Sequence, residues 1–176
     1  KGPCEGLKHR RFTVGLCAMV RYAQDTSVSV EKSKGEIERT LIRYGADGFQ
    51  SGWHKAQGKA MVAFEINRRH VRMLVQVPDR DDAEFTSTET GRARSEAQAL
   101  KAWEQAQRQR WRALSLSVKA KLEGIACGLE TFEEAFLAHL VLPDGSTVAE
   151  NLVPRILNAI DSNKIPRLLL PEAAGE

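Results

Sequence analysis

The amino-acid sequence predicts an α+β domain in which a small three-stranded antiparallel sheet is covered by a long amphipathic helix. Three observations carry this. Leu100, Trp103, Gln107, Trp111, Leu114, Val118, Leu122 and Ile125 recur at spacings of three and four, and seven of these eight are apolar, the pattern of one buried helix face. Between Phe49 and Val77, three apolar-rich runs are joined by short polar connections, which reads as an antiparallel meander. Strands and helices are segregated along the chain rather than alternating, so a parallel α/β sheet is disfavoured.

The chain has 176 residues, 42% hydrophobic and 28% charged, enough for one domain with a real core and unlike a disordered chain. Residues 1–18 are read as a disordered or non-native N-terminal extension, with Met19 as the natural start, and 19–176 as a single α+β domain. Lys8, Arg10 and Arg11 before Phe12–Val20 loosely resemble the end of a signal peptide, but Thr13 and Gly15 break the apolar stretch.

Thr26-Ser27-Val28-Ser29-Val30 alternates and is expected to be a short edge strand. Ser33 and Glu36 form a capping-box pattern that opens a short helix through Ile37, Leu41 and Tyr44, closed by Gly45. Strands are expected over Phe49–His54, Ala60–Ile66 and Val71–Val77. Their turns are Lys55-Ala56-Gln57-Gly58 and Asn67-Arg68-Arg69-His70, and Pro78 stops the third strand. Asp79 to Arg94 lacks periodicity and is expected to be an exposed connection. The long helix is bounded by a Ser95/Gln98 capping box and by Gly128. Two shorter helices follow. Thr131 with Glu134 caps one whose buried face is Phe132, Phe136 and Leu140. Thr147 with Glu150 caps the other, which runs through Val148, Leu152, Ile156 and Ile160 and which Pro154 should kink or divide. The tail Ile165–Pro171 is expected to be extended and packed on the body.

Several chemistries are disfavoured. His9, His54, His70 and His139 are scattered, and no HxxxH, HExxH or CxxC pattern occurs. Neither GxSxG, GxxxxGK[ST] nor GxGxxG is present. Cys127 sits at the negative end of the long helix and is expected to be a buried or half-buried thiol rather than a nucleophile. Cys4, Cys17 and Cys127 are too few and too scattered for a disulfide scaffold, which fits free thiols in a reducing, cytoplasmic setting. No apolar run approaches the ~20 residues of a membrane span. No cofactor and no metal is expected. The densest carboxylate cluster, Asp79, Asp81, Asp82 and Glu84, lacks a calcium-loop pattern.

The formal charge is only +3 with a pI of about 8.9, so its distribution matters more than its total. Arg68, Arg69 and Arg72 in the strand block and Arg108, Arg110 and Arg112 on the long helix lie among Trp53, Trp103 and Trp111. Cations beside aromatic rings can meet phosphates and stack bases, and these six arginines are the candidate nucleic-acid-binding residues. The opposing reading is a solvated basic helix face with its tryptophans in the core. Glu130, Glu133, Glu134, Asp144 and Glu150 form an acidic C-terminal region.

Three blocks carry a family resemblance: Val28–Ala46, Trp103–Glu123 with its Gln109-Arg110-Trp111-Arg112 centre, and Thr131-Phe132-Glu133-Glu134-Ala135-Phe136 running to Leu142-Pro143-Asp144-Gly145. Together they resemble small proteins of phage and prophage gene sets over most of the chain from Met19. The resemblance implies a setting, a mobile-element protein made in a bacterial cytoplasm, and assigns no catalytic or binding residue. The expected function is therefore a non-enzymatic phage or prophage accessory protein that binds DNA, RNA or a nucleoprotein complex. The alternative is a protein-interaction module, such as a modulator of a host defence complex. It would act on a host or phage protein through the acidic C-terminal surface or the Asp79–Glu84 loop. A metal-dependent nuclease using that loop ranks third.

Overall fold

The computed structural model describes residues 23, 25–54, 58–88 and 90–163. The expected extension over 1–18 and the expected packing of the tail lie outside these residues. The element order is α1 (Val30–Arg43), β1 (Gly48–His54), β2 (Lys59–Ile66), β3 (Arg69–Gln76), α2 (Ala83–Thr86), α3 (Glu96–Ala126), α4 (Phe132–Phe136), a 3₁₀ turn (Leu137–His139) and α5 (Val148–Ser162). The α+β class is as expected. The sheet is antiparallel in the order β1-β2-β3, so each strand pairs with its sequence neighbour.

The pleat decides which side chains go inside. Along β2 burial alternates strictly, with Ala60, Val62, Phe64 and Ile66 inside. Their partners on β3, Val75, Met73 and Val71, share that face, as does Phe49 of β1, opposite Phe64. One slip of register would turn every one of these residues outward. Across this face lies the lower half of α3, burying Trp111, Leu114, Val118 and Leu122 with Ile37 and Leu41 of α1 in one core. Phe136 of α4 seals the end of the core. It is fully buried, edge-on to Phe64 at 5.4 Å between centroids and tilted on Phe132 at 5.0 Å.

Several expectations are corrected. Thr26–Ser29 is not a strand, and α1 begins three residues before the expected Ser33 cap. Ser29 is the cap, accepting a bond from the Lys32 amide at 3.1 Å. Ser33 lies inside the helix, fully buried, with its hydroxyl donating to the Ser29 carbonyl. Val30, Ser33, Ile37 and Leu41 share one helix face, and burying that face outweighs the competing cap at Ser33. The connection 79–94 is not featureless: α2 buries Phe85, and a Ser87–Ala93 bridge closes the loop behind it. One apolar residue is too few to register as periodicity. Leu140 does not extend the α4 helix. It makes an isolated antiparallel bridge to Val71, and the Val141 amide donates to the His70 carbonyl at 2.9 Å, so the chain after α4 lies along the outer edge of β3. α5 runs through Pro154 as one helix of 15 residues. Cys127 is exposed rather than half-buried.

The remaining caps agree with the sequence. Capping boxes stand at Ser95/Gln98, Thr131/Glu134 and Thr147/Glu150. Gly128 takes φ +72° just past α3, a backbone state glycine adopts without steric cost.

Two stability tests follow from this packing. Phe136→Ala should cost about 3–5 kcal/mol through lost contacts and a cavity beside Phe64, read as a fall in urea midpoint at unchanged slope. His139, half-buried at the end residue of the 3₁₀ turn, has its pKa held below 6.5 by burial and then by the nearby Lys121 ammonium. The fold therefore prefers neutral imidazole. This contribution is complete above the unfolded value near 6.5 and shrinks as pH falls below it. The melting temperature of wild type should drop more than that of His139→Gln between about pH 7 and pH 5.

Candidate functional site

The sheet is shorter than the helix that covers it. Eight strand residues span about 27 Å, whereas the 31 residues of α3 span about 46 Å. The apolar stripe of α3 therefore continues past the sheet. Trp103 and Gln107 lie on that overhang and are only partly buried, and this part of the predicted buried face lines a cleft. This cleft has a volume of about 830 Å³ and lies between the start of α1, the end of the sheet around Trp53, Lys59 and Pro78, and α3 from Trp103 to Trp111. That size falls in the range of ligand-binding cavities.

Its walls are fixed by specific bonds. The Trp103 indole N–H donates to the Pro78 carbonyl at 2.9 Å. Arg110 donates to the Gln76 carbonyl at the end of β3, and the Val77 amide donates to the Gly58 carbonyl at 2.8 Å. Trp111 forms the floor at 3% exposure, with the Lys34 ammonium 4.7 Å from its ring centroid. Trp53, by contrast, is 71% exposed at the mouth. It stands on the core-side face of β1, opposite Ala60.

The cleft carries both signs of charge. Lys34, Lys59, Arg80 and Arg108 face it with Glu31, Asp79 and Glu104. Arg80 is paired with Glu96 at 3.4 Å. Arg108 bonds to Gln105 at 2.6 Å and lies 3.9 Å from Glu104. Lys34 and Lys59 have no carboxylate partner among the described residues.

The six arginines singled out in the sequence do not form one patch. Arg68 and Arg69 lie at the β2–β3 turn, the opposite end of the sheet from the cleft. Arg69 pairs with Glu133 at 3.1 Å, and Arg72, on the far face of the sheet, pairs with Glu150 at 3.0 Å. Arg112 joins α3 to α1 through Glu36. Arg108 faces the cleft, and Arg110 is bound to the Gln76 carbonyl. Arg68 alone of the six makes no ion pair or hydrogen bond among the described residues. Glu133 and Glu150 thus neutralise the two paired arginines of β3, and the Glu150 carboxyl is held below its usual range by the Thr147 amide and by Arg72.

Asp79 and Asp82 of the acidic loop accept backbone amides of that same loop, from Asp81 at 3.1 Å and Asp79 at 3.0 Å. Among the described residues no group of three or more His, Cys, Asp or Glu side chains is placed to hold a metal, and no helix is long and apolar enough to cross a membrane. Sequence reasoning missed Lys34, Lys59 and Arg80, which are isolated cations in the chain. Its tryptophans were the usable signal.

No family model matches the chain, and no curated protein or solved structure is significantly similar to it.

Asn67 and Arg68 form the β2–β3 turn with φ of +50° and +63°. Two left-handed residues are what a tight hairpin needs, and asparagine tolerates this better than arginine. Arg68→Gly should stabilise the fold by about 0.5–1 kcal/mol, the strain relieved less the extra chain entropy of glycine. Thermal denaturation reads the change, and a loss of stability would show that the arginine side chain itself holds the turn.

Proposed function

We propose that this protein is a non-enzymatic nucleic-acid-binding accessory protein, of the phage or prophage kind that the sequence resembles, and that the tryptophan cleft takes a single strand. The observation that carries the reading is Trp53, a large aromatic ring 71% exposed at the mouth of a cleft floored by Trp111. Exposed indole is costly to keep in water, and stacking a base on it removes that cost without demanding sequence. Lys34 and Lys59, free of carboxylates, are the cations available to phosphate. Duplex is disfavoured because its bases are already stacked.

The balanced charge of the cleft sets the character of the binding. Stacking supplies most of the affinity, and few phosphates are neutralised. With two phosphate contacts, log Kd changes with log salt by a slope of only about 1.4 for a single strand. The basic strand contributes less than its sequence promises, because Arg69 and Arg72 are occupied. These surface pairs are worth only about 0–1 kcal/mol, so they lower the local potential more than they lock the structure. The alternative, docking of a protein on the acidic C-terminal surface, loses support for the same reason: Glu133 and Glu150 are the partners of those arginines.

Anisotropy titrations with a labelled oligothymidine and a duplex of equal length, between about 50 and 200 mM salt, test the reading. Single strand should bind more tightly than duplex. Trp53→Ala should weaken it about 10- to 100-fold, the value of one stacked base, and Lys34→Gln/Lys59→Gln should flatten the salt slope. Absence of binding at the lowest salt, or full binding by Trp53→Ala, would overturn it.

A further inference from the structure

Gln107 is the polar member of the otherwise apolar row that runs along α3 from Leu100 to Ile125. It is half-buried and lines the cleft. Standing four residues from both Trp103 and Trp111, it shares their face of the helix and lies about 6 Å along the axis from each. The neighbouring glutamines are engaged within the fold. The Gln98 side chain accepts the Ser95 amide at 3.1 Å, and the Gln105 side chain donates to the Thr26 carbonyl at 3.0 Å. Gln107 has no hydrogen-bond partner among the described residues. Apart from the indoles, the other uncharged polar side chain of the cleft wall is Ser29, which accepts the Lys32 amide. The Gln107 amide is therefore the neutral donor and acceptor that the cleft leaves unused. A few such groups in a largely apolar pocket fix the orientation and identity of what enters it.

We propose that Gln107 reads the base that enters the cleft and that it favours adenine. This rests on the single-strand reading of the cleft. Stacking on Trp53 is indifferent to which base is stacked, so selectivity must come from the wall. A base that covers Gln107 displaces its water, and an amide then left unpaired is penalised. A primary amide sets a donor beside an acceptor. Adenine offers the complement on two edges, N6–H with N7 and N6–H with N1. Thymine, cytosine and guanine offer it on the Watson–Crick edge alone, since the N7 and O6 of guanine both accept. The arginines of the cleft, which would favour guanine, are engaged: Arg80 by Glu96 and Arg108 by Gln105. Adenine can thus pair with Gln107 in more than one orientation, and its larger ring covers more of an indole than a pyrimidine does.

Anisotropy titrations of the full chain test this with a short labelled oligothymidine carrying one central adenine or one central purine. Purine keeps the adenine ring but lacks the N6 amino group, so it stacks and leaves the Gln107 side-chain oxygen unpaired. Wild type should bind the adenine probe about tenfold more tightly than the purine probe. Gln107→Leu places an apolar side chain in an apolar row and should bind the two probes alike. Equal binding of both probes by wild type, with Trp53→Ala still weakening both, overturns the inference and leaves the stacking reading in place. An adenine preference kept by Gln107→Leu also overturns it. A wild type that binds neither probe at the lowest salt overturns the single-strand reading, and this inference with it.

Discussion

The fold rests on the seam between the lower half of α3 and the inner face of the sheet. Trp111, Leu114, Val118 and Leu122 meet Val62, Phe64, Val71 and Met73 there, with α1 alongside and Phe136 at the end. A small sheet with one apolar face must bury that face against another element, and α1 is too short to hold as an isolated helix. Each element is therefore ordered by the same buried surface. The capping boxes decide where helices start, but each is worth only about 1 kcal/mol, against about 1.5–3 kcal/mol for each large side chain the seam removes from water.

That seam also creates the cleft. Once Trp111 to Leu122 are seated on the sheet, the earlier turns of α3 overhang it, and Trp103 and Gln107 are left without strands beneath them. The Trp103–Pro78 and Arg110–Gln76 bonds brace the overhang against the end of β3. The cleft is thus a consequence of unequal element lengths, braced by polar contacts from α3 to the chain leaving the sheet.

Charge is used differently from what its distribution along the chain suggests. Arg69 and Arg72 of β3 meet the C-terminal Glu133 and Glu150 in space, and Arg112 of α3 meets Glu36 of α1, so these arginines are occupied within the fold. At the cleft, Lys34 and Lys59 have no carboxylate partner among the described residues, and Trp53 is the most open of its aromatic surfaces. A binding role built on these depends more on stacking than on counterion release.

The α+β class, the three strands, the long helix and three capping boxes were legible in the sequence, because each depends on local spacing: period two in a strand, 3.6 in a helix, and a side chain reaching its own backbone three residues away. Residues whose role depends on distant partners were not legible. Ser33 reads as a cap until the helix packs, Leu140 reads as helical until β3 offers an edge, and Phe85 reads as one apolar residue in a loop until α3 covers it. The arginines read as a patch because sequence shows neither Glu133 nor Glu150 beside them. For the site, the sequence supplied the tryptophans and the tertiary structure decided which one faces water, since exposure depends on what the rest of the chain leaves uncovered.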